Sequence, residues 1–254
     1  MSRLNIRKTA KIALPICLLI AFFSGVKLWS IQQAYQEGDR IYRQLQETML
    51  SQATENSDKT GDVVDPVVPA LKVDFSALKK INPDAVAWLY QEETMISYPI
   101  MAADDYDYYL KYLPDGSRNI NGSLFIDHNN AFDFSDDLTV VYGQQLNSGK
   151  MFGGITKYKT PTYFENHPYL YLYTETGNYR VELLYGCAIG DGQWRKRAFM
   201  FQENLESLMA YAQKNTTFQS PVEYHSGDRL IVLSTCSFRF DDDRYILIGI
   251  LVPE

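Results

Sequence analysis

The chain has 254 residues, 46% of them hydrophobic and 22% charged, and 24 Lys and Arg against 31 Asp and Glu give a formal net charge of -7. That length supports one substantial core with appendages rather than several domains, and the acidic balance argues against nucleic acid as a partner. Cys17, Cys187 and Cys236 are too few and too scattered for a disulfide framework, and His128, His167 and His225 stand alone without the short spacing that zinc needs, so neither a metal nor a cofactor is expected.

Residues 12–29 form an apolar stretch interrupted only by Pro15, Ser24, Gly25 and Lys27, behind the basic residues Arg3, Arg7, Lys8 and Lys11. Such a stretch just spans a bilayer, with Lys27 snorkelling to the interface. A cleaved signal peptide shares the basic start, but no Ala-x-Ala-like site follows and the run is long for its apolar region, so an uncleaved anchor is the reading. The basic residues ahead of the span predict a cytoplasmic N-terminus, with everything from about residue 31 outside the membrane. Residues 1–30 are thus a basic tail and transmembrane anchor.

Residues 31–71 read as a juxtamembrane segment. Ile31, Ala34, Tyr35, Ile41, Tyr42, Leu45 and Met49 recur at helical spacing with an interruption at Gly38, and a Ser, Thr, Asn, Asp and Gly-rich linker follows to Pro69. The folded domain then occupies residues 72–254. Asp74 is placed to cap a helix over 75–81, stopped by Asn82-Pro83. Strand-like runs recur at 87–90, 95–100, 122–126, 138–142, 169–173, 179–188, 230–236 and 245–252, whereas only 106–112, 150–158 and 201–214 look helical. Neither a Gly-rich phosphate loop nor an internal repeat is present. Eight strands with few helices between them, in a chain with 19 Tyr, predict a mainly β fold, a mostly antiparallel barrel rather than a βαβ array.

Cys236 closes the seventh run and Arg244 opens the eighth. The intervening residues suffice for a loop returning an antiparallel neighbour, so thiol and guanidinium would meet at one rim. A thiol of reference pKa about 8.5 needs a cation or a base beside it to attack an acyl carbon at neutral pH. An arginine can favour the thiolate and later donate to an oxyanion. From these residues alone two readings stay open, the second making Cys236 a small buried apolar residue and Arg244 a surface charge.

Ser234-Thr235-Cys236 followed by Arg244 after an acidic loop resembles the signature of the sortases, membrane-anchored cysteine transpeptidases of Gram-positive bacteria. The segments 73–89, Ile96-Ser-Tyr-Pro-Ile100, Asp107-Tyr-Tyr-Leu110, Asn121-Gly-Ser-Leu-Phe-Ile-Asp127 and Met151-Phe-Gly153 are similar, in order, to class B members. The resemblance implies an eight-stranded sortase-type β-barrel in which Cys236 attacks a C-terminal sorting signal to form a thioacyl enzyme. An amine of a cell-wall precursor or a pilin lysine would then resolve that intermediate. Arg244 would position the substrate or hold the oxyanion. The implied partners are surface proteins or pilins bearing sorting signals, and the membrane through the N-terminal helix.

One position departs from the family pattern. The family's strand corresponding to 138–142 leads into Tyr-Gly-His, whose histidine is the general acid and base; this chain has Tyr142-Gly143-Gln144. A carboxamide forms hydrogen bonds but does not titrate near neutrality, so it cannot shuttle a proton. Impaired transpeptidation is therefore expected, and a catalytically silent sortase-like scaffold that binds sorting signals or pilins is the alternative. His128 is the nearest substitute along the chain, but it sits among Asp127, Asn129 and Asn130 as a turn residue would, and His167 and His225 read as structural or solvated. Cys187 reads as a core position unpaired with Cys236, Arg239 as a weaker candidate than Arg244, and the acidic clusters 104–105, 133–137 and 241–243 as solvated loops lacking calcium-ligand spacing.

Overall fold

The computed structural model describes residues 3–53, 71–190, 192–194, 201–236 and 243–254. Eight strands close into a barrel: β1 (Ala85–Tyr90), β2 (Ser97–Met101), β3 (Leu124–Ile126), β4 (Leu138–Gln144), β5 (Tyr169–Thr174), β6 (Asn178–Ile189), β7 (Leu230–Cys236) and β8 (Arg244–Pro253). Around the barrel they run β1-β2-β3-β4-β7-β8-β6-β5, and β5 pairs back onto β1. Closure gives each of these strands a neighbour on both sides. The mainly β expectation holds, with each of the eight runs forming a strand. Two of the neighbour pairings, β2–β3 and β4–β7, are parallel, and the rest are antiparallel.

The β4–β7 pairing decides where chemistry can occur. Both strands are buried along their whole length, as apolar runs such as Ile231-Val232-Leu233 allow when both faces are covered. Because they run parallel, both end at one rim, and antiparallel β8 begins there.

Helices whose bounds lie within the described residues accompany the barrel: α1 (Arg3–Ala53), α2 (Phe75–Ile81), α3 (Pro161–Asn166) and α4 (Phe201–Asn215). Asp74 caps α2 by accepting the Ala77 amide at 2.8 Å, as its sequence predicts. Residues 106–112 are turns rather than a helix. Asp105 Oδ1 captures the amides of Asp107 and Tyr108, and Tyr112 bridges to Arg118, so the backbone donors are taken before a helical ladder starts. In place of the helix expected over 150–158, a 3-10 helix spans Gly154–Lys159, and α3, starting at a proline, is an element that the periodicity did not show.

Helix α1 runs without a break through Gly38. From Leu14 to Trp29 its large apolar side chains are exposed, and the helix from Leu14 to Thr48 is long and apolar enough to cross a membrane. Beyond it Ile41, Tyr42 and Leu45 are buried against the barrel, each contributing about 1.5–3 kcal/mol of burial. The linker expected after residue 53 lies outside the described residues, as do Arg239 and the start of the third acidic cluster.

Candidate active site

At the shared rim the β4–β7 register sets Gln144 opposite Cys236, and the Gln145 amide donates to the Cys236 carbonyl at 3.0 Å. On the other side of β7, β8 pairs Ile246 with Ser234, which carries Arg244 two residues further to the level of Cys236. The guanidinium reaches it: Arg244 Nη1 stands 3.5 Å from Cys236 Sγ and donates to the Thr235 carbonyl at 3.3 Å. The expected meeting of thiol and guanidinium is thus realised. Cys236 is only 7% exposed. It lines a pocket of about 210 Å³ together with Tyr106, Asp107, Leu110, Phe125, Tyr142, Trp194 and Arg244.

Gln144 is fully buried, and its Nε2 donates to the Leu110 carbonyl at 3.1 Å. Its main chain accepts the Phe152 amide at 3.0 Å. The side chain is therefore held beside the end of β7 by a neutral bond, with no proton to exchange at working pH. Among the described residues no histidine lines the pocket. His128 is exposed and meets the ring of Tyr106 edge to face at 4.3 Å. His167 stacks on Tyr163, and His225 lies beside Asp228 on the surface.

A buried carboxylate supports the site from beneath. Asp127, at the end of β3, is fully buried and accepts the Tyr142 hydroxyl at 2.9 Å, the Tyr106 hydroxyl at 2.9 and 3.0 Å, and the Asn129 amide at 2.9 Å. The Arg244 guanidinium carbon lies 5.9 Å from the centre of the Tyr142 ring, within cation–π range. Burial first, and then the Asp127 charge, push the Tyr142 hydroxyl well above its ordinary value; burial and the bond to Asp127 do the same for Tyr106. Both stay protonated donors. None of Asp127, Tyr142 and Tyr106 was singled out as a site residue by sequence reasoning; the available signal was a lone carboxylate ending an apolar strand.

Outside this pocket, Cys187 is buried in β6, and none of the three cysteines is in a disulfide. Burial pushes its thiol up to about 12. Asp105, Asp133 and Asp136 each accept amides of their own turns, so the first two acidic clusters shape loops.

No family model matches the chain. Among characterised proteins it is similar to sortase B of Listeria monocytogenes, 31% identical over 181 residues that cover 70% of this chain and 73% of that one. It is also similar to sortase B of Staphylococcus aureus, 24% identical over 170 residues covering 66% and 69%. Among solved structures, a Staphylococcus aureus sortase B–substrate complex superposes with a TM-score of 0.72 at 20% identity, covering 86% of this chain and 98% of that one. Clostridium perfringens sortase B gives a TM-score of 0.63 at 26% identity, over 70% and 98%.

Proposed function

The chain belongs to the sortase B family, a family of cysteine transpeptidases, and we propose that Cys236 is its nucleophile, Arg244 the group that holds the oxyanion or the substrate backbone, and Gln144 the occupant of the general acid–base position. The single observation carrying this reading is the 3.5 Å approach of the Arg244 guanidinium to Cys236 Sγ at the rim where β4 and β7 end. The thiolate attacks the scissile carbonyl of a C-terminal sorting signal, and the carbonyl electrons move onto an oxyanion facing Arg244. Collapse breaks the C–N bond and leaves a thioacyl enzyme, but the departing amine needs a proton. A cell-wall or pilin amine then attacks the thioester and must lose one.

Gln144 can donate a hydrogen bond at those moments but cannot move the proton, a role worth about 10²–10⁴-fold in rate. The proposed activity is therefore a crippled transpeptidation, with water as the proton carrier. The Leu110 carbonyl that now accepts the Gln144 amide is the partner that an imidazole at this position would use to fix its tautomer. A second reading rests on the same residue: with no titratable side chain at 144, the domain binds sorting signals or pilins without turning them over. Helix α1 anchors either form, its N-terminus cytoplasmic and the barrel outside the cell membrane, as the charges at Arg3, Arg7, Lys8 and Lys11 favour.

Incubation of the full chain with sorting-signal peptides, followed by intact-mass measurement, separates these readings. A thioacyl adduct on Cys236 with slow release supports the crippled enzyme. Saturable peptide binding without an adduct supports the scaffold, and the absence of both contradicts the two together.

A further inference from the structure

The docked half of α1 is linked to the active-site pocket through one short segment. Gly38 lies so close to the barrel that a Cβ there would fall 2.4 Å from Asn121 Nδ2, and Asn119 Nδ2 donates to the Ala34 carbonyl at 2.7 Å. One turn beyond Gly38, Tyr42 is buried with its ring edge-on to Tyr98, and its hydroxyl donates to the Gly122 carbonyl at 2.5 Å and reaches Ser123 Oγ at 3.3 Å. Burial raises this hydroxyl far above its ordinary value, so it stays a donor. On its other side the same segment holds residues 106–112. Gly122 has φ +59, and a Cβ there would lie 2.6 Å from the Tyr109 carbonyl oxygen and 2.9 Å from that of Leu110. The Ser123 amide donates to the Tyr109 carbonyl at 2.7 Å, and Ser123 Oγ donates to the Tyr112 carbonyl at 2.9 Å.

Residues 106–112 supply Tyr106, Asp107 and Leu110 to the pocket around Cys236, and the Leu110 carbonyl orients Gln144. We propose that Tyr42 of the anchor helix is a positioning residue for the active site: through Gly122 and Ser123 it holds the 106–112 wall closed over Cys236 and keeps the Leu110 carbonyl aimed at position 144. The helix that ties the protein to the membrane is in this way also a brace of the pocket. The proposal rests on the reading of Cys236 and Gln144 as the active site, but its test needs no transpeptidation.

The full chain in detergent micelles is treated with iodoacetamide, and alkylation of the Cys236 peptide is followed by mass spectrometry beside amide exchange over 106–112. Tyr42→Phe removes only the hydroxyl, and Ser123→Ala removes the second half of the link, the Ser123 Oγ that accepts from Tyr42 and donates to the Tyr112 carbonyl, while leaving the Gly122 carbonyl in place. Both are expected to raise the Cys236 alkylation rate about tenfold, the equilibrium effect of one lost buried hydrogen bond, and to speed exchange over 106–112. Gln46→Ala is the control, because Gln46 also docks α1, donating to the Ser97 carbonyl at 2.8 Å, but touches neither Gly122 nor Ser123. It is expected to leave alkylation at the parent rate even if it lowers the melting temperature equally. Parent-like alkylation in both Tyr42→Phe and Ser123→Ala, or an equal rise in Gln46→Ala, overturns the proposal. Coupled alkylation in a chain that forms no thioacyl adduct upholds the brace while refuting the proposed reaction, and an adduct with uncoupled alkylation does the reverse.

Discussion

Cys187 and Cys236 lie at almost the same height of one barrel, on the two strands that flank β8: Cys187 pairs with Ile246 from β6, and Ser234, two residues before Cys236, pairs with Ile246 from β7. Two register positions against β8 separate a thiol sealed in the core from one at the rim. Cys187 lies two residues short of the end of β6, sealed by the core, with its thiol pushed up to about 12 by burial alone. Cys236 ends its strand at a rim where a pocket opens, a guanidinium arrives from the next strand and a parallel neighbour presents Gln144. The proposed difference in reactivity follows from surroundings, because a thiol that opens onto a pocket beside a cation has both charge and access, whereas one sealed by the core has neither.

The sharpest way to break this contrast is to exchange the fates of the two thiols. Cys236→Ala is expected to abolish thioacyl adduct formation, whereas Cys187→Ala retains it and costs only about 1–2 kcal/mol of stability as a small cavity, read by intact mass and by denaturant melts. Next in size, Arg244→Ala should lower the rate of adduct formation about 10²–10³-fold, the worth of one oxyanion donor, with Cys187 labelling unchanged; single-turnover kinetics measures it. Smaller again, Tyr142→Phe and Asp127→Asn each disturb a buried hydrogen bond beneath Arg244 and are expected to cost about 1–3 kcal/mol. Both should slow adduct formation more than they shift amide exchange around Cys187.

The smallest effect is a pH dependence confined to the buried side. Burial pushes the folded Cys187 thiol up to about 12, whereas an unfolded thiol has a pKa of about 8.5, so its contribution to stability is complete at pH values below the pKa of the unfolded thiol. It is lost as pH rises toward 12, because the unfolded chain gives up the proton first. Tyr98, also pushed up to about 12 by burial, adds to the same alkaline decline. Cys187→Ala should flatten part of that decline in melts taken from pH 8 upward.

Much of this geometry was legible before any coordinates. The runs ending at Cys236 and beginning at Arg244 carry their own register, because a loop of this length between two apolar runs returns the chain antiparallel. Gln144 was legible only against a family pattern, since nothing in its local sequence marks it. Residues 106–112 misread as helix because Asp105 spends its side chain on the amides that a helix would need, a local choice that spacing of apolar residues does not report. Gly38 looked like a break in a helix; it is a point of contact, where the absence of a side chain lets α1 approach Asn121. Asp127 and Tyr142 were invisible as a pair because β3 and β4 bring together residues 15 positions apart, and the burial that gives their bond its weight is tertiary.

The central claim is that the site has its nucleophile and its cation but lacks a proton shuttle. Thioacyl formation by the parent and by Gln144→His, measured side by side in single turnover with one sorting-signal peptide, tests it most directly. The expected result is a rate about 10²–10⁴-fold higher in the variant, with a bell-shaped pH profile that the parent lacks. Equal rates in the two proteins, including no adduct in either, would contradict it.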